Sequence, residues 1–209
     1  MTCCPPRGAE PFTEKLAARD LRRLRRRGLD ATTLALAEAV APEDGTVLEI
    51  GGGIGALHLE LLRRGATRAT NVELSPAYEG AAATLVEEHG AQERVERRIL
   101  DFARDAELVE PADVVVLNRV VCCSPDVDGL VGAAAAHTCR VLGLTFPVDA
   151  WWTRLAARAM NAGARLIGWE WKFYVHPPSA IAAAAERHGL RRARDGRRRI
   201  WCIAVFERT

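Results

Sequence analysis

Four glycines fall within five residues at the end of an apolar run, VLEIGGGIGAL, Val47–Leu57. The run reads as a strand turning sharply into a helix, where glycines let a ligand approach the backbone and the helix N-terminus without Cβ clashes. Gly51-x-Gly53-x-x-Ala56 satisfies the G-x-G-x-x-G/A spacing of dinucleotide binding. Glu49 stands two positions before the first glycine; a carboxylate there opposes a pyrophosphate and suits a ligand carrying an amino or sulfonium cation. Glu73 follows Gly51 by 22 positions, at the end of the next strand, where a carboxylate can accept both hydroxyls of a ribose. The glycines alone leave both ligand classes open.

Other residues able to do chemistry are scattered. Asp101 follows a third strand in ILDF and reads either as a ligand contact or as a helix N-cap. Asn118 and Arg119 end the apolar run ADVVVLN, with a surface ion pair as the bland role of Arg119. His176 in YVHPPS is a candidate base held extended by the prolines after it, or a residue that leads into and caps the next helix. His58 and His137 lie inside expected helices and read as packing or surface residues. Six cysteines form the adjacent pairs Cys3-Cys4 and Cys122-Cys123 plus Cys139 and Cys202, with no C-x-x-C spacing. They read as free thiols. Soft ions such as trivalent arsenic suit thiolates, but adjacent cysteines point in different directions, so no metal site is expected.

The elements that must position these groups follow from periodicity. Pro11 to about Val40 reads as two helices, separated by Gly28 with Asp30 as N-cap of the second. After the turn signal Pro42-Glu43-Asp44-Gly45, strand-like runs alternate with helical ones. TVLEI leads to a helix stopped by Gly65, and ATNVEL to a helix opened by Ser75-Pro76. VERRILD precedes a short helix through Ala103–Leu108. ADVVVLNRV precedes the helix DVDGLVGAAAAHTCR, and RVLGLTFP is the fifth strand. A helix from Pro177 to His188 then leads into two strand-like runs around Asp195-Gly196, a hairpin signal. This predicts an α/β, Rossmann-like sheet of seven strands, mostly parallel with helices on both faces, a C-terminal antiparallel hairpin and two extra N-terminal helices. A chain of 209 residues with near-neutral charge (+2) suits one domain, 1–209. Within it, 1–41 would be a helical cap and 149–176, which holds four of the five tryptophans, a substrate-covering insert at the carboxyl edge of the sheet. No apolar run can span a bilayer and no secretory signal is evident, so a soluble cytoplasmic protein is expected.

The E-x-G-x-G-x-G loop, Glu73, Asp101, the two N-terminal helices and the closing hairpin together resemble the class I S-adenosylmethionine-dependent methyltransferases, from about Phe12 onward. The resemblance implies S-adenosylmethionine as cofactor. Gly51, Gly52, Gly53 and Gly55 would lie under its methionine and ribose portions, with Glu49 positioning the loop. Glu73 would hold the ribose, Leu74 would lie against the adenine, Asp101 would accept from the adenine amino group, and Phe102 would neighbour it. Asn118 and Arg119 would line the mouth between cofactor and substrate. An NAD-linked oxidoreductase remains the alternative reading of the loop.

The acceptor is expected to be a small molecule. The place after the fourth strand reads NRVVCCSPD, without the N/D-P-P-Y/F sequence of amino-methylating nucleic-acid enzymes or the Pro-Cys of pyrimidine carbon-methylating ones. The arginine clusters at 22–27 and 191–199 lack interleaved aromatics, so no nucleic-acid partner is expected, an RNA methyltransferase being the alternative. Trp151, Trp152, Trp169 and Trp171 offer aromatic area for a flat or greasy acceptor. The insert is loosely similar to that of magnesium-protoporphyrin methyltransferases, although their tyrosine-rich N-terminal segment is missing here. The NRVVCC-x-PD stretch and Trp pair are similar to those of a group of small bacterial methyltransferases. Direct in-line displacement needs alignment and exclusion of water more than a catalytic triad, with His176 as candidate base and Arg119 as the second catalytic candidate.

Overall fold

The structure, a computed structural model, describes residues 11–42 and 44–209. Cys3, Cys4 and Glu43 lie outside them. Helix α1 (Glu14–Arg27) starts at Thr13, whose hydroxyl accepts the Leu16 N–H, and its arginine-rich sequence buries only Ala17 and Leu21. Helix α2 (Ala31–Ala39) is capped by Asp30, which accepts from the N–H groups of Thr32 and Thr33.

The alternating plan follows as β1 (Thr46–Ile50), α3 (Ala56–Arg63), β2 (Arg68–Glu73), α4 (Glu79–Glu88), β3 (Val95–Ile99), α5 (Phe102–Asp105), β4 (Ala112–Asn118), α6 (Val127–Ala136) and β5 (Thr138–Pro147). Then come α7 (Trp151–Leu166), α8 (Pro178–Glu186), β6 (Leu190–Arg198) and β7 (Trp201–Arg208). The seven strands form one sheet in the order β3-β2-β1-β4-β5-β7-β6. β1 to β5 pair in parallel, whereas β7 runs antiparallel to both β5 and β6. The chain order reverses between β1 and β4, which opens a crevice at their carboxyl ends.

Period-two alternation divides the core between the two sheet faces. Val47, Val114, Val116, Ile203 and Val205 pack with α1 to α4. Leu48, Val115, Leu117, Ala204 and Phe206 pack with α5, α6 and α8. The central strands are therefore apolar throughout, as expected for parallel strands covered on both sides.

Three local expectations are corrected. Ser75 does not cap a helix: its hydroxyl donates to the Phe12 carbonyl (3.2 Å), residues 76–78 form one 3-10 turn, and α4 begins at Glu79. β5 starts at Thr138, two residues before Arg140, because Ala112 of β4 pairs with Thr138 and its N–H bonds the His137 carbonyl (2.9 Å), ending α6 early. Asp195-Gly196 is not the hairpin turn. It sits inside β6 opposite Ala204 and Ile203, and the turn falls at Arg199-Ile200. β7 must lie along β5 from Pro147↔Trp201 to Val141↔Glu207, so long-range pairing places the turn, and Arg199 adopts a φ of 55° to make it.

Candidate functional site

The glycine loop between β1 and α3 rests on a buried polar floor. Gly51 and Gly55 take φ of 65° and 84°, conformations that side chains disfavour. Gly52 is required for another reason: a Cβ there would fall 1.8 Å from Asn71 Nδ2 and against the Glu49 carboxylate. Glu49 Oε2 accepts from the His58 backbone N–H (3.2 Å), from His58 Nδ1 (2.7 Å) and from Asn71 Nδ2 (3.3 Å). Arg97 of β3 extends this network, donating to Asn71 Oδ1 (2.9 Å), to the Gly53 carbonyl (3.1 Å) and to Glu79. The side chain of Glu49 is thus engaged beneath the loop, and His58 and Asn71 support the site although neither stands out by spacing alone.

Glu73 ends β2 and is buried. Its Oε2 accepts from Gly53 N–H (2.8 Å), and its Oε1 from Leu74 and Ser75 N–H (2.9 Å each). Burial pushes its pKa above the ordinary value of 4.5, outweighing those three bonds and the charge of Arg97. A carboxylate offers about four acceptor positions, so about one remains.

Two recesses flank Gly51. One, of about 60 Å³, is lined by Ile50, Val72, Leu74, Leu100 and Leu130, with Asp101 and Phe102 at one end. Asp101 caps α5 by accepting from Ala103 N–H (3.2 Å), and Phe102 is buried edge-on to His137. The other, of about 240 Å³, runs from Glu49 and the glycines to Asn118 and Arg119 and is roofed by α1 and α2 through Asp20, Arg23 and Thr33. A larger hollow of about 580 Å³ lies among α1 to α4, shares Leu24, Leu29 and Ala56 with the second recess, and is otherwise lined by leucines and paired charges.

Asn118 and Arg119 tie β4 to the helical roof. Asn118 donates to Thr33 Oγ1 (3.0 Å) and accepts from Thr145 (2.7 Å). Arg119, at φ 63°, pairs with Asp30 (2.6 Å), and its guanidinium lies 5.0 Å from the centroid of the Trp201 ring. Its Nε is buried without a partner among the described residues. Burial alone would raise the Asp30 pKa, but the Arg119 charge and the hydrogen bonds of Thr33 hold it below the ordinary value. By spacing Asp30 is a cap; the fold also makes it the partner of Arg119. Tyr78, which spacing does not single out, is buried beside Gly53 and lines the same recess.

The return segment 169–176 crosses from α7 to the turn 121–123. Tyr174 N–H bonds the Cys122 carbonyl (2.8 Å), and His176 Nε2 donates to the Ser124 carbonyl (2.9 Å), its ring stacked on Tyr174. A carbonyl only accepts, so Nε2 carries a proton. Trp171 meets Phe12 and Phe173 edge-on at 6.2 and 6.3 Å. Its indole N–H is buried without a partner at normal distance, yet near enough to favour the thiolate of Cys123. The Cys122 thiol donates to the Arg119 carbonyl (3.3 Å); the close contact of the two cysteines is the largest influence on both, holding Cys123 below the ordinary thiol range and, with burial, pushing Cys122 above it. His176 is held against the Ser124 carbonyl, and no hydrogen bond joins it to Asn118 or Arg119 among the described residues.

The likenesses to known proteins agree with this geometry. The structure is similar to a magnesium protoporphyrin IX methyltransferase from Synechocystis with bound SAH, at 21% identity and a TM-score of 0.68, over 91% of this chain and 86% of that one. It is similar to an O-methyltransferase family protein from Burkholderia thailandensis at 18% identity and a TM-score of 0.72, over 97% of this chain and 65% of that one. An O-methyltransferase family 2 protein from Planctomyces limnophilus, in complex with apigenin, matches at 17% identity and a TM-score of 0.67, over 94% of this chain and 62% of that one. At these identities the likenesses speak for the fold. No curated protein matches the chain. No described helix is long and apolar enough to cross a membrane. A family of methyltransferase domains matches residues 21–191, so the chain belongs to that family and is a class I S-adenosylmethionine-dependent methyltransferase rather than an NAD-linked oxidoreductase.

Proposed function

We propose that the chain methylates a small, flat or apolar acceptor on oxygen or nitrogen, and that the crevice on either side of Gly51 holds the cofactor. The residues present fit S-adenosylmethionine. The apolar recess at Leu74 and Leu100 suits an adenine, with the Asp101 carboxylate at one end. The remaining acceptor position of Glu73 suits a ribose hydroxyl, and the unpartnered Arg119 Nε–H in the second recess suits a carboxylate. When bound, the cofactor supplies an electrophilic methyl group on a sulfonium.

The chain's own part is alignment and exclusion of water. Glu73, by bonding Gly53, Leu74 and Ser75 at once, locks the end of β2 to the glycine loop, so the ribose contact is made by a rigid carboxylate. Asn118 and Arg119 join the end of β4 to α2, which roofs the methionine side. Phe12, Trp171 and Phe173 form an aromatic wall where an acceptor would meet the crevice. We infer that His176 is a positioning residue that holds this wall against Ser124.

The observation that carries the acceptor class is the aromatic wall of Phe12, Trp171 and Phe173. Two solved relatives of the fold are described as a magnesium protoporphyrin IX methyltransferase and an apigenin complex, which suit the same class. Transfer of labelled methyl from S-adenosylmethionine to porphyrin carboxylates, flavonoid hydroxyls, small amines and transfer RNA tests the reading. Product extractable into organic solvent is expected, with KM raised about three- to tenfold in Trp171→Ala and S-adenosylhomocysteine affinity unchanged. Label entering only the RNA overturns it.

A further inference from the structure

Helix α7 is amphipathic in the opposite sense to a core helix. Its inward face carries small or polar residues: Thr153, Ala157 and Ala164 are buried, and Asn161 bonds the Phe173 main chain through both its donor (2.9 Å) and its acceptor (2.8 Å). At about 100° per residue, the positions of Trp151, Trp152, Leu155, Met160, Leu166 and Ile167 span roughly half the circumference on the other side. That arc faces solvent: Trp151 is 77% exposed, Leu155 57%, Leu166 87% and Ile167 64%.

Arg154, Arg158 and Arg165 form a stripe along one flank of the arc, and the helix contains no acidic residue. Arg154 is paired with Asp149, whereas Arg158 and Arg165 have no carboxylate partner among the described residues. A second element continues the same surface. Val148, just before α7, bonds the Ile200 carbonyl (2.8 Å), so the β6–β7 turn lies beside the start of the helix. Ile200 is 45% exposed and follows Arg197, Arg198 and Arg199.

We propose that α7 and the turn at Ile200 dock flat on a bilayer surface rich in anionic headgroups. The apolar arc enters the acyl boundary, tryptophans sit at the headgroup level, and the arginines meet phosphates. A second copy of the chain fits less well, since pairing two such faces brings arginine stripes together with no carboxylate on the helices to answer them. Docking there would set the mouth of the crevice close to the membrane, because the return segment 169–176 begins at the end of α7. This extension is independent of which acceptor is used.

Co-sedimentation of the full chain with vesicles tests the proposal, using phosphatidylcholine alone and an equimolar mixture with phosphatidylglycerol. Binding to the mixed vesicles is expected, at least about tenfold weaker to the neutral ones and for a Leu155→Glu, Leu166→Glu variant. The substitutions fall on exposed positions, and unchanged circular dichroism and S-adenosylhomocysteine affinity separate lost docking from lost fold or lost cofactor site. No binding to either vesicle, or equal binding by the variant, overturns the proposal. So does a concentration-dependent dimer in sedimentation velocity that the variant abolishes, which gives the face to a second copy.

Discussion

Nδ1 of His58 lies 2.7 Å from the Glu49 carboxylate beneath the glycine loop, and both residues are buried. The same Glu49 oxygen accepts from the His58 backbone and from Asn71, so one carboxylate joins β1, the start of α3 and β2 under Gly52. Removing one partner leaves a buried charge without its strongest bond. His58→Ala is therefore expected to lose about 3–5 kcal/mol of stability in urea unfolding. It should also weaken S-adenosylhomocysteine binding, because Gly52 and Gly55 lose their support. A loss below about 1 kcal/mol would mean that the loop stands without this floor.

Glu73→Gln keeps the shape of the side chain but replaces a charged acceptor with an amide. Calorimetry should show S-adenosylhomocysteine affinity lower by about ten- to hundredfold, the range for a hydrogen bond to a charged group. The protonation of Glu73 gives a second readout. Its folded value is raised above the ordinary 4.5, so the folded state holds the proton more tightly than the unfolded one. Stability from this group is fully present below the unfolded value and is lost as pH rises through the folded one. Unfolding free energy of the cofactor-free protein should show that decline with rising pH, and Glu73→Gln should lack it. Identical pH profiles for the two proteins would contradict the burial argument.

Arg119→Ala breaks the pair with Asp30 and the contact with Trp201. Both partners of the pair are about a third exposed, which limits the stability loss to about 1 kcal/mol. Asp30 has the opposite sign to Glu73: its value is lowered, so its contribution is present above the unfolded value and lost as pH falls through the folded one. The variant should show a shallower acid limb below the ordinary aspartate value of 3.8 and a clear fall in cofactor affinity. Unchanged affinity would remove Arg119 from the cofactor site and leave it as a tie between β4 and α2.

Asp101 caps α5 and also borders the apolar recess, and two substitutions separate the roles. Asp101→Ala should cost about 1 kcal/mol by loss of the cap and also weaken nucleoside binding. Asp101→Ser should restore the stability without restoring the affinity, read by thermal unfolding and by titration with S-adenosylhomocysteine. Full recovery of both in the serine variant would assign the residue to capping alone.

Local chemistry made much of the molecule legible before any coordinates. Asp30 was recognisable as a cap by type and position, since a short acceptor before an apolar helix satisfies orphan N–H groups wherever it occurs. The seven-stranded, mostly parallel sheet with its antiparallel closing pair follows from strands alternating with helices and then two strands in succession, whereas the order of the strands is read from the structure. The glycines and Glu73 are legible as a candidate ligand loop from residue type and spacing, and Asp101 from the family resemblance.

Other features depend on contacts between distant segments, which no local pattern carries. Asp195-Gly196 has the composition of a turn, yet the pairing of β7 with β5 moves the turn to Arg199-Ile200. Asn71, Arg97 and Tyr78 lie far apart from Glu49 in the chain and reach the loop only when β2, β3 and the start of α4 are assembled around it. The direction of α7 is likewise a tertiary outcome. Its sequence specifies an amphipathic helix, but Asn161 bonding Phe173 turns the small-residue face inward and leaves the tryptophans and leucines to solvent. Spacing along one chain determined the cofactor loop and the order of elements, since both rest on short-range sterics and hydrogen bonding. Packing between elements decided what supports the loop and which face of the insert is left open.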